Sequence, residues 1–334
     1  MKKVRNFKKE MISLTKFHYS RSIEYKKILD FLYTKKINKL EDVPFLPINL
    51  FKDLNLKSIS ESEVFKILHS SGTSGNVSKI FLDKFNAQSQ SKALNKIMSE
   101  FLGKERLPML IVDKKIKYNK NEFNAKIAAI VGFSIFGKNH HYLLNEKNEI
   151  NYEGLNDFLK KFSHKKFLVF GFTSQVFENL IEKIEKTKLI SNFQNGYLLH
   201  GGGWKKMESK MVDNKIFKLK LSEKLNFQKI VNYYGLIEQT GSIFLECEKC
   251  GNFKTSEYSD ILVRGNNFEI LKEGKKGFIQ LLSLLPTSYP GHSILTEDIG
   301  SLVKNNCKLC FGKKSFLVHG RVEKSETRGC SDAQ

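Results

Sequence analysis

Ser70-Ser71-Gly72-Thr73-Ser74-Gly75-Asn76-Val77-Ser78-Lys79 gathers five hydroxyls, two glycines and a terminal lysine in ten residues. Glycine lets backbone N–H groups turn towards one point, hydroxyls add donors, and a lysine supplies positive charge; this donor set suits a polyphosphate. It is not the Walker pattern, which needs Gly-Lys-Ser/Thr after four spacer residues. The spacing alone leaves a solvated Ser/Gly linker equally open. Three further strings have chemical potential. In Asn232-Tyr233-Tyr234-Gly235-Leu236-Ile237-Glu238-Gln239-Thr240-Gly241, an aromatic can stack on a base and a carboxylate can hold Mg²⁺ beside phosphates; a surface strand and turn is the plain alternative. Leu199-His200-Gly201-Gly202-Gly203-Trp204 ends an apolar run in three glycines, where a flat ligand or a tight turn would fit. Asp298, in Leu295-Thr296-Glu297-Asp298-Ile299-Gly300, sits at a predicted strand end, where an acidic residue can accept ribose hydroxyls or simply make a turn.

Cys247-Glu248-Lys249-Cys250 and Cys307-Lys308-Leu309-Cys310 are two C-x-x-C knuckles, each followed closely by glycine, at Gly251 and Gly312. Four thiolates in two such pairs fit tetrahedral Zn²⁺ with no open position, hence a structural staple. A redox C-x-x-C is the rival, but it does not account for two pairs. The fifth cysteine, Cys330, lies in a polar tail near Arg321, Lys324 and Arg328. Such surroundings lower a thiol pKa, and a tail gives it reach.

The elements that must position these residues alternate through the middle of the chain. Residues 12–33 carry apolar side chains at near-helical spacing, and Val43–Leu50, with Pro44 and Pro47, reads as an extended linker. Val64–His69 predicts a strand entering the Ser70 loop, 85–102 a helix and Met109–Val112 a strand; Ala125–Phe136 is a second apolar block. Tyr152–Phe162 predicts helix, Phe167–Phe172 strand, Thr173–Lys186 helix, and Gly196–His200 and Lys229–Tyr234 strands. That alternation implies a mainly parallel sheet flanked by helices. From residue 241 short strands follow with turns: Ser242–Glu246, Asp260–Val263, Gly277–Leu282, Gly300–Val303 and Phe316–His319. The expected organisation is a helical segment and linker (1–60), an α/β nucleotide-binding part (61–240), a β-rich part with the four-cysteine zinc site (241–322) and a mobile tail (323–334).

The 334 residues are 40% hydrophobic and carry a formal charge of +21. The length suffices for one large domain or two modest ones. A charge this positive favours polyanions in general, but the basic residues are spread along the chain as in a Lys-rich proteome and form no arm. No run approaches the roughly 18 apolar residues of a membrane span, and no apolar segment follows the basic start. A cytoplasmic protein is expected, and in that compartment cysteines serve metal or thiol chemistry more than disulfides.

The order and character of these strings resemble the acyl-adenylate-forming superfamily. Ser70–Lys79 is similar to its phosphate loop, Gly201–Gly203 to its adenine-side glycines, Tyr234-Gly235 with Glu238 to its Tyr-Gly-x-x-Glu motif, Asp298 to its ribose-binding Asp, and Gly320-Arg321 to the Gly-Arg opening its hinge. The resemblance is closer still to the LuxE-type acyl-protein synthetases, the fatty-acid-activating subunits of bacterial bioluminescence reductases. It rests on Pro44-Phe45-Leu46-Pro47 with Phe51-Lys52, on His69–Gly75, and on His200-Gly201-Gly202-Gly203-Trp204-Lys205-Lys206. Asn232–Gly235 through Glu238–Gly241, Leu285-Pro286-Thr287-Ser288-Tyr289-Pro290-Gly291-His292-Ser293 and Arg328-Gly329-Cys330-Ser331-Asp332 complete it. It implies an N-terminal-domain-like α/β fold, ATP and Mg²⁺ as cofactors, and activation of a carboxylic acid to acyl-AMP. It further implies acyl transfer to Cys330 and on to a reductase or carrier protein. The chain ends about a dozen residues after Gly320-Arg321, so no separate lid domain is expected; Lys79, Lys205 and Arg321 are then the candidates to stabilise charge at the α-phosphate. A carboxylate–CoA ligase resembling the phenylacetate type is the alternative enzyme. A nucleic-acid-binding zinc protein is the alternative outside enzymes, and it leaves the Ser70–Lys79 and Asn232–Gly241 strings without a role.

Overall fold

The computed structural model describes residues 6–33, 36–70, 77–116, 125–184, 193–304 and 306–322, without the side chains of 205, 206 and 208. These residues form two units: one of 6–70, 77–98 and 235–322, the other of 99–234.

The chain starts with helices α1 (Phe7–Arg21) and α2 (Ile23–Leu32). The single helix predicted over 12–33 is divided at Ser22, whose side chain accepts the Tyr25 N–H and whose own N–H bonds the His18 carbonyl. A serine hydroxyl competes for backbone donors and so favours a cap over a helix interior. Then come β1 (Leu46–Pro47), α3 (Leu50–Asp53), the antiparallel pair β2 (Lys66–His69) and β3 (Lys79–Leu82), and α4 (Lys84–Leu102).

The middle of the chain runs β4 (Leu107–Lys114), α5 (Ala125–Ser134), β5 (Gly137–Leu144), α6 (Tyr152–Phe162), β6 (Phe167–Phe172), α7 (Thr173–Val176), β7 (Gly196–Gly201), α8 (Asn214–Leu225) and β8 (Lys229–Tyr234). The helix predicted over 173–186 is α-helical only through α7, then widens into a π-helical turn over Phe177–Lys183. The strands of this second unit lie in the order β5-β4-β6-β7-β8, every pair parallel. β6 and β7 are buried at every position, as strands covered on both faces must be. α6 buries Leu155, Phe158 and Leu159, the i, i+3, i+4 stripe of an amphipathic helix. These side chains join Leu110, Val169, Leu198 and Phe217 in one core.

The chain closes with β9 (Phe244–Leu245), β10 (Phe253–Lys254), β11 (Ser259–Arg264), β12 (Gly277–Ser283), β13 (Ser293–Val303) and β14 (Ser315–Arg321). In the first unit β10-β14-β13-β12-β11 form an antiparallel sheet. β13 begins seven residues before the predicted Gly300, because its first half has a partner of its own: the predicted linker contributes β1, parallel to Ile294 and Leu295. Its second half bonds β14. Met11 of α1 and Val43 pack on Leu262, Leu282 and Leu284 of this sheet side. No helix of the described residues is long and apolar enough to cross a membrane.

Candidate functional site

The β2–β3 hairpin carries the hydroxyl-rich loop, with His69 opposite Lys79. The next pair inwards closes the loop doubly: Ser70 N–H donates to the Ser78 carbonyl at 3.1 Å, and Ser78 N–H donates to Ser70 Oγ at 2.8 Å. Ser71, Gly72, Thr73, Ser74 and Gly75 lie outside the described residues. Lys79 is exposed as the first residue of β3. Partial burial, and after it the Lys79 charge, pulls the His69 pKa down.

Glu238 sits on a short 3-10 turn, Ile237–Gln239, and is only 3% exposed. A carboxylate so enclosed requires hydrogen bonds. Ser78 Oγ donates one at 2.7 Å, across 160 residues of sequence. The structure thus brings the closing residue of the loop and the acidic residue of the Tyr-Gly-x-x-Glu string together. The turn itself is held from below: Tyr289 donates its hydroxyl to the Glu238 carbonyl at 2.9 Å, and the Gln239 side-chain NH₂ donates to the carbonyls of Gly291 at 2.8 Å and Leu281 at 3.2 Å. Gly241 ends the turn at φ +83°, where any Cβ would come within 2.8 Å of the Gln90 backbone. Only glycine meets both conditions.

Asp298 is not at a strand end, as its turn-like surroundings suggest, but inside β13 at a register shift. β13 continues past it to Val303 along β14, whose last residue, Arg321, lies directly opposite Asp298. Arg321 Nε donates to Asp298 Oδ1 at 3.2 Å, with Asp298 7% exposed. Two predicted site residues are therefore paired with each other.

In the second unit, Gly201 ends β7 and Gly202 and Gly203 follow it exposed. A Cβ at Gly201 would fall 2.4 Å from the Tyr233 ring, so the ring occupies the space a side chain would need. Gly202 has φ +78°, and a Cβ at Gly203 would meet open space. Tyr234, next to Tyr233 on β8, is partly exposed. His200 is buried, its Nδ1 3.0 Å from Thr173 Oγ1 and its ring 4.6 Å from that of Phe217. Burial, and secondarily the Lys218 charge, pushes its pKa down to about 3, so the ring is neutral. The Lys205 side chain and Cys330 lie outside the described residues.

The four knuckle cysteines come together in the first unit, every sulfur within 4.8 Å of the others. Cys247 Sγ is 3.8 Å from Cys307 Sγ, and Cys250 Sγ 3.7 Å from Cys310 Sγ. Tetrahedral Zn²⁺ with Zn–S bonds of about 2.3 Å separates its ligands by about 3.8 Å. The donor set and its spacing fit that ion.

Ser78 and Gln239 lie inside the quoted motifs, and Tyr289 inside Leu285–Ser293, but no contact with Glu238 was assigned to any of them. The signal for Tyr289 was present in the Leu285–Ser293 string, but its contact with Glu238 depends on a fold-level approach that local spacing does not encode.

Comparison with known proteins gives this geometry its context. The acyl-protein synthetase LuxE family model matches residues 2–334. The long-chain-fatty-acid–luciferin-component ligase of Aliivibrio fischeri is 25% identical over 297 residues, covering 85% of this chain and 76% of that protein. Among solved structures, an open conformation of 2-hydroxyisobutyryl-CoA ligase in complex with 2-HIB-AMP and CoA has a TM-score of 0.69 at 13% identity, covering 98% of this chain and 77% of that one. ATP-bound MatB from Rhodopseudomonas palustris has a TM-score of 0.50 at 14% identity, covering 79% of this chain and 49% of that one. At these identities the structural likeness establishes the fold, that of acyl-adenylate-forming ligases. With the family match spanning nearly every residue, the chain belongs to the LuxE family of acyl-protein synthetases.

Proposed function

We propose that the chain activates a fatty acid with ATP and then carries the acyl group on its own Cys330. In the first step a carboxylate oxygen attacks the α-phosphorus, the bond to the β-phosphate breaks, and pyrophosphate leaves. In the second, the Cys330 thiolate attacks the acyl carbonyl and AMP departs with the electron pair of the broken acyl–oxygen bond. A reductase or carrier protein takes the acyl group from there. The observation that carries this reading is the bond from Ser78 to buried Glu238. It fastens a carboxylate to the closing residue of a donor-rich loop, where polyphosphate and cation are handled together. The likeness to the A. fischeri long-chain-fatty-acid–luciferin-component ligase supports a fatty acid as the substrate class.

In this scheme Ser70–Gly75 and Lys79 bind the phosphates and Glu238 holds Mg²⁺, which supplies neutralisation of phosphate charge. Gly201–Gly203 and Tyr234-Gly235 bind the adenine, and Asp298 accepts from the ribose hydroxyls. Arg321, already on Asp298 Oδ1, fixes that carboxylate's orientation and adds positive charge. The four knuckle cysteines hold Zn²⁺ as a staple between the 247–250 and 307–310 loops, without a part in the reaction. The enzyme is proposed to act in the cytoplasm.

ATP–pyrophosphate exchange across a panel of carboxylates tests the first step. Exchange that depends on a long-chain acid is the expected result; no exchange with any carboxylate overturns the proposal. Acyl-CoA formation in place of protein acylation would transfer the assignment to a CoA ligase.

A further inference from the structure

The Leu285–Ser293 string has no part in the scheme above, yet it touches both sides of the Glu238–Ser78 bond. Tyr289 is fully buried, and its hydroxyl donates to the Glu238 carbonyl. Burial, and with it the Glu238 charge, drives its pKa up, so the hydroxyl keeps its proton. Gly291 approaches the same carbonyl so closely that a Cβ there would lie 2.8 Å from it. Next to Tyr289, Ser288 Oγ donates to the Phe81 carbonyl of β3 at 2.7 Å. β3 is the strand on which Ser78 and Lys79 enter.

These contacts close a ring: Ser78 to Glu238, Glu238 to Tyr289, Tyr289 along the chain to Ser288, and Ser288 back to β3. The ring is tied down outside as well. The Asn86 side-chain NH₂ donates to the Leu285 carbonyl at 2.8 Å and to Thr287 Oγ1 at 2.9 Å, and Ser58 N–H donates to the Ser288 carbonyl at 2.8 Å. His292 lies 3.0 Å from Thr15 Oγ1 and stacks on His18 at 4.9 Å. A single hydrogen bond leaves an exposed carboxylate free to rotate; a closed ring of buried bonds fixes both partners at once.

We propose that Tyr289 is a positioning residue for adenylation: it sets the Glu238 turn against β3 and so fixes the carboxylate relative to Ser78 and Lys79. The proposal rests on the reading that Glu238 serves the cation and nucleotide. It does not require Tyr289 to touch either. The hydroxyl is the informative atom, because Tyr289→Phe keeps the ring that packs against Phe51 and removes only the donor.

The test compares Tyr289→Phe with Thr15→Ala in the full chain. Thr15→Ala weakens the same loop's anchorage at His292, away from Glu238. ATP–pyrophosphate exchange is measured against Mg²⁺, ATP and fatty acid, with the melting temperature of each variant. Losing one buried bond predicts that Tyr289→Phe raises the Mg²⁺ and ATP needed for half-maximal exchange about fivefold, with the fatty-acid KM unchanged. Thr15→Ala is expected to lower the melting temperature while keeping the wild-type Mg²⁺ and ATP dependence. Wild-type Mg²⁺ and ATP dependence in Tyr289→Phe overturns the proposal, as does an equal shift in both variants. Gln239→Met, which cuts the bonds to the Gly291 and Leu281 carbonyls, carries the same expectation and stands in should Tyr289→Phe not fold. Glu238→Gln separates the two levels: if it leaves Mg²⁺ dependence intact, the role given to Glu238 fails; if it shifts dependence and Tyr289→Phe does not, only the positioning role fails.

Discussion

Glu238 in the first unit and Gly201 in the second are held in place by opposite means. Glu238 is fixed by side chains drawn from distant parts of the sequence: Ser78 on its carboxylate and Tyr289 on its carbonyl. Gly201 is fixed by a missing side chain, since the Tyr233 ring fills the space beside it. The first region resists displacement because several buried donors and acceptors would be left unpaired together. The second only needs position 201 to carry no side chain, so that the Tyr233 ring keeps its place. Damage to the first should therefore be irreparable by a further truncation, and damage to the second repairable.

The largest effect expected on this contrast is from Glu238→Ala, which removes the proposed cation ligand and strands the Ser78 hydroxyl. A loss of about 100-fold in kcat/KM for ATP is expected by analogy with metal-site ligand supports. Adding Ser78→Ala should recover none of it; measured kcat/KM of the double variant checks this.

Cys310→Ser tests the staple in the same unit. Loss of bound zinc by metal analysis and a fall of several degrees in melting temperature are expected, because a structural site contributes directly to folding. Full zinc content with an unchanged melting point would remove the metal assignment.

Gly201→Ala comes next, with about a tenfold rise in ATP KM as the Tyr233 ring is displaced. Here a second truncation should help: Tyr233→Leu combined with Gly201→Ala should recover part of the affinity. A double variant worse than the sum of the two would show that the two regions do not differ as argued.

The last effect is on acid stability and leaves the reaction itself untouched. Burial pushes His18 down to about 4, opposed by its hydrogen bond to the Pro286 carbonyl; its ordinary value is about 6.5. The folded pKa is the lower one, so its stabilising contribution is complete above about 6.5 and is lost as pH falls towards 4. Each such histidine adds at most about 1.4 kcal/mol per pH unit. His292, also driven down by burial and then by His18, acts in the same direction. The urea midpoint should fall between pH 6.5 and 4, and more gently in His18→Gln.

How much of this was legible depended on whether the signal was local. Tyr152–Phe162, Phe167–Phe172 and Lys229–Tyr234 have the predicted bounds, because an amphipathic stripe, an unbroken apolar run and a cluster of strand formers (Ile230, Val231, Tyr233, Tyr234) mark them in turn. α8 had its signal too, with Phe217, Leu221 and Leu225 buried four residues apart, but its many lysines obscured it. β5 is polar through Lys138–His141, which are exposed along much of that stretch, and so gave no apolar run. β1 was hidden by Pro47, which suits a strand without a ladder on both sides. The Ser70 and Glu238 strings were legible as separate pieces of chemistry. Their meeting, and the support from Tyr289, was not, since these contacts join residues 160 and 51 positions apart and no short-range pattern specifies them.

The central claim, activation followed by capture on Cys330, is tested most directly with Cys330→Ser in the full chain. Wild type and variant are incubated with ATP, Mg²⁺ and a long-chain fatty acid, and acyl-enzyme is read by intact mass beside ATP–pyrophosphate exchange. The account predicts exchange in both proteins, with the acyl mass added to wild type alone. An equally acylated Cys330→Ser protein, or a wild type that exchanges without ever gaining the acyl mass, would contradict it.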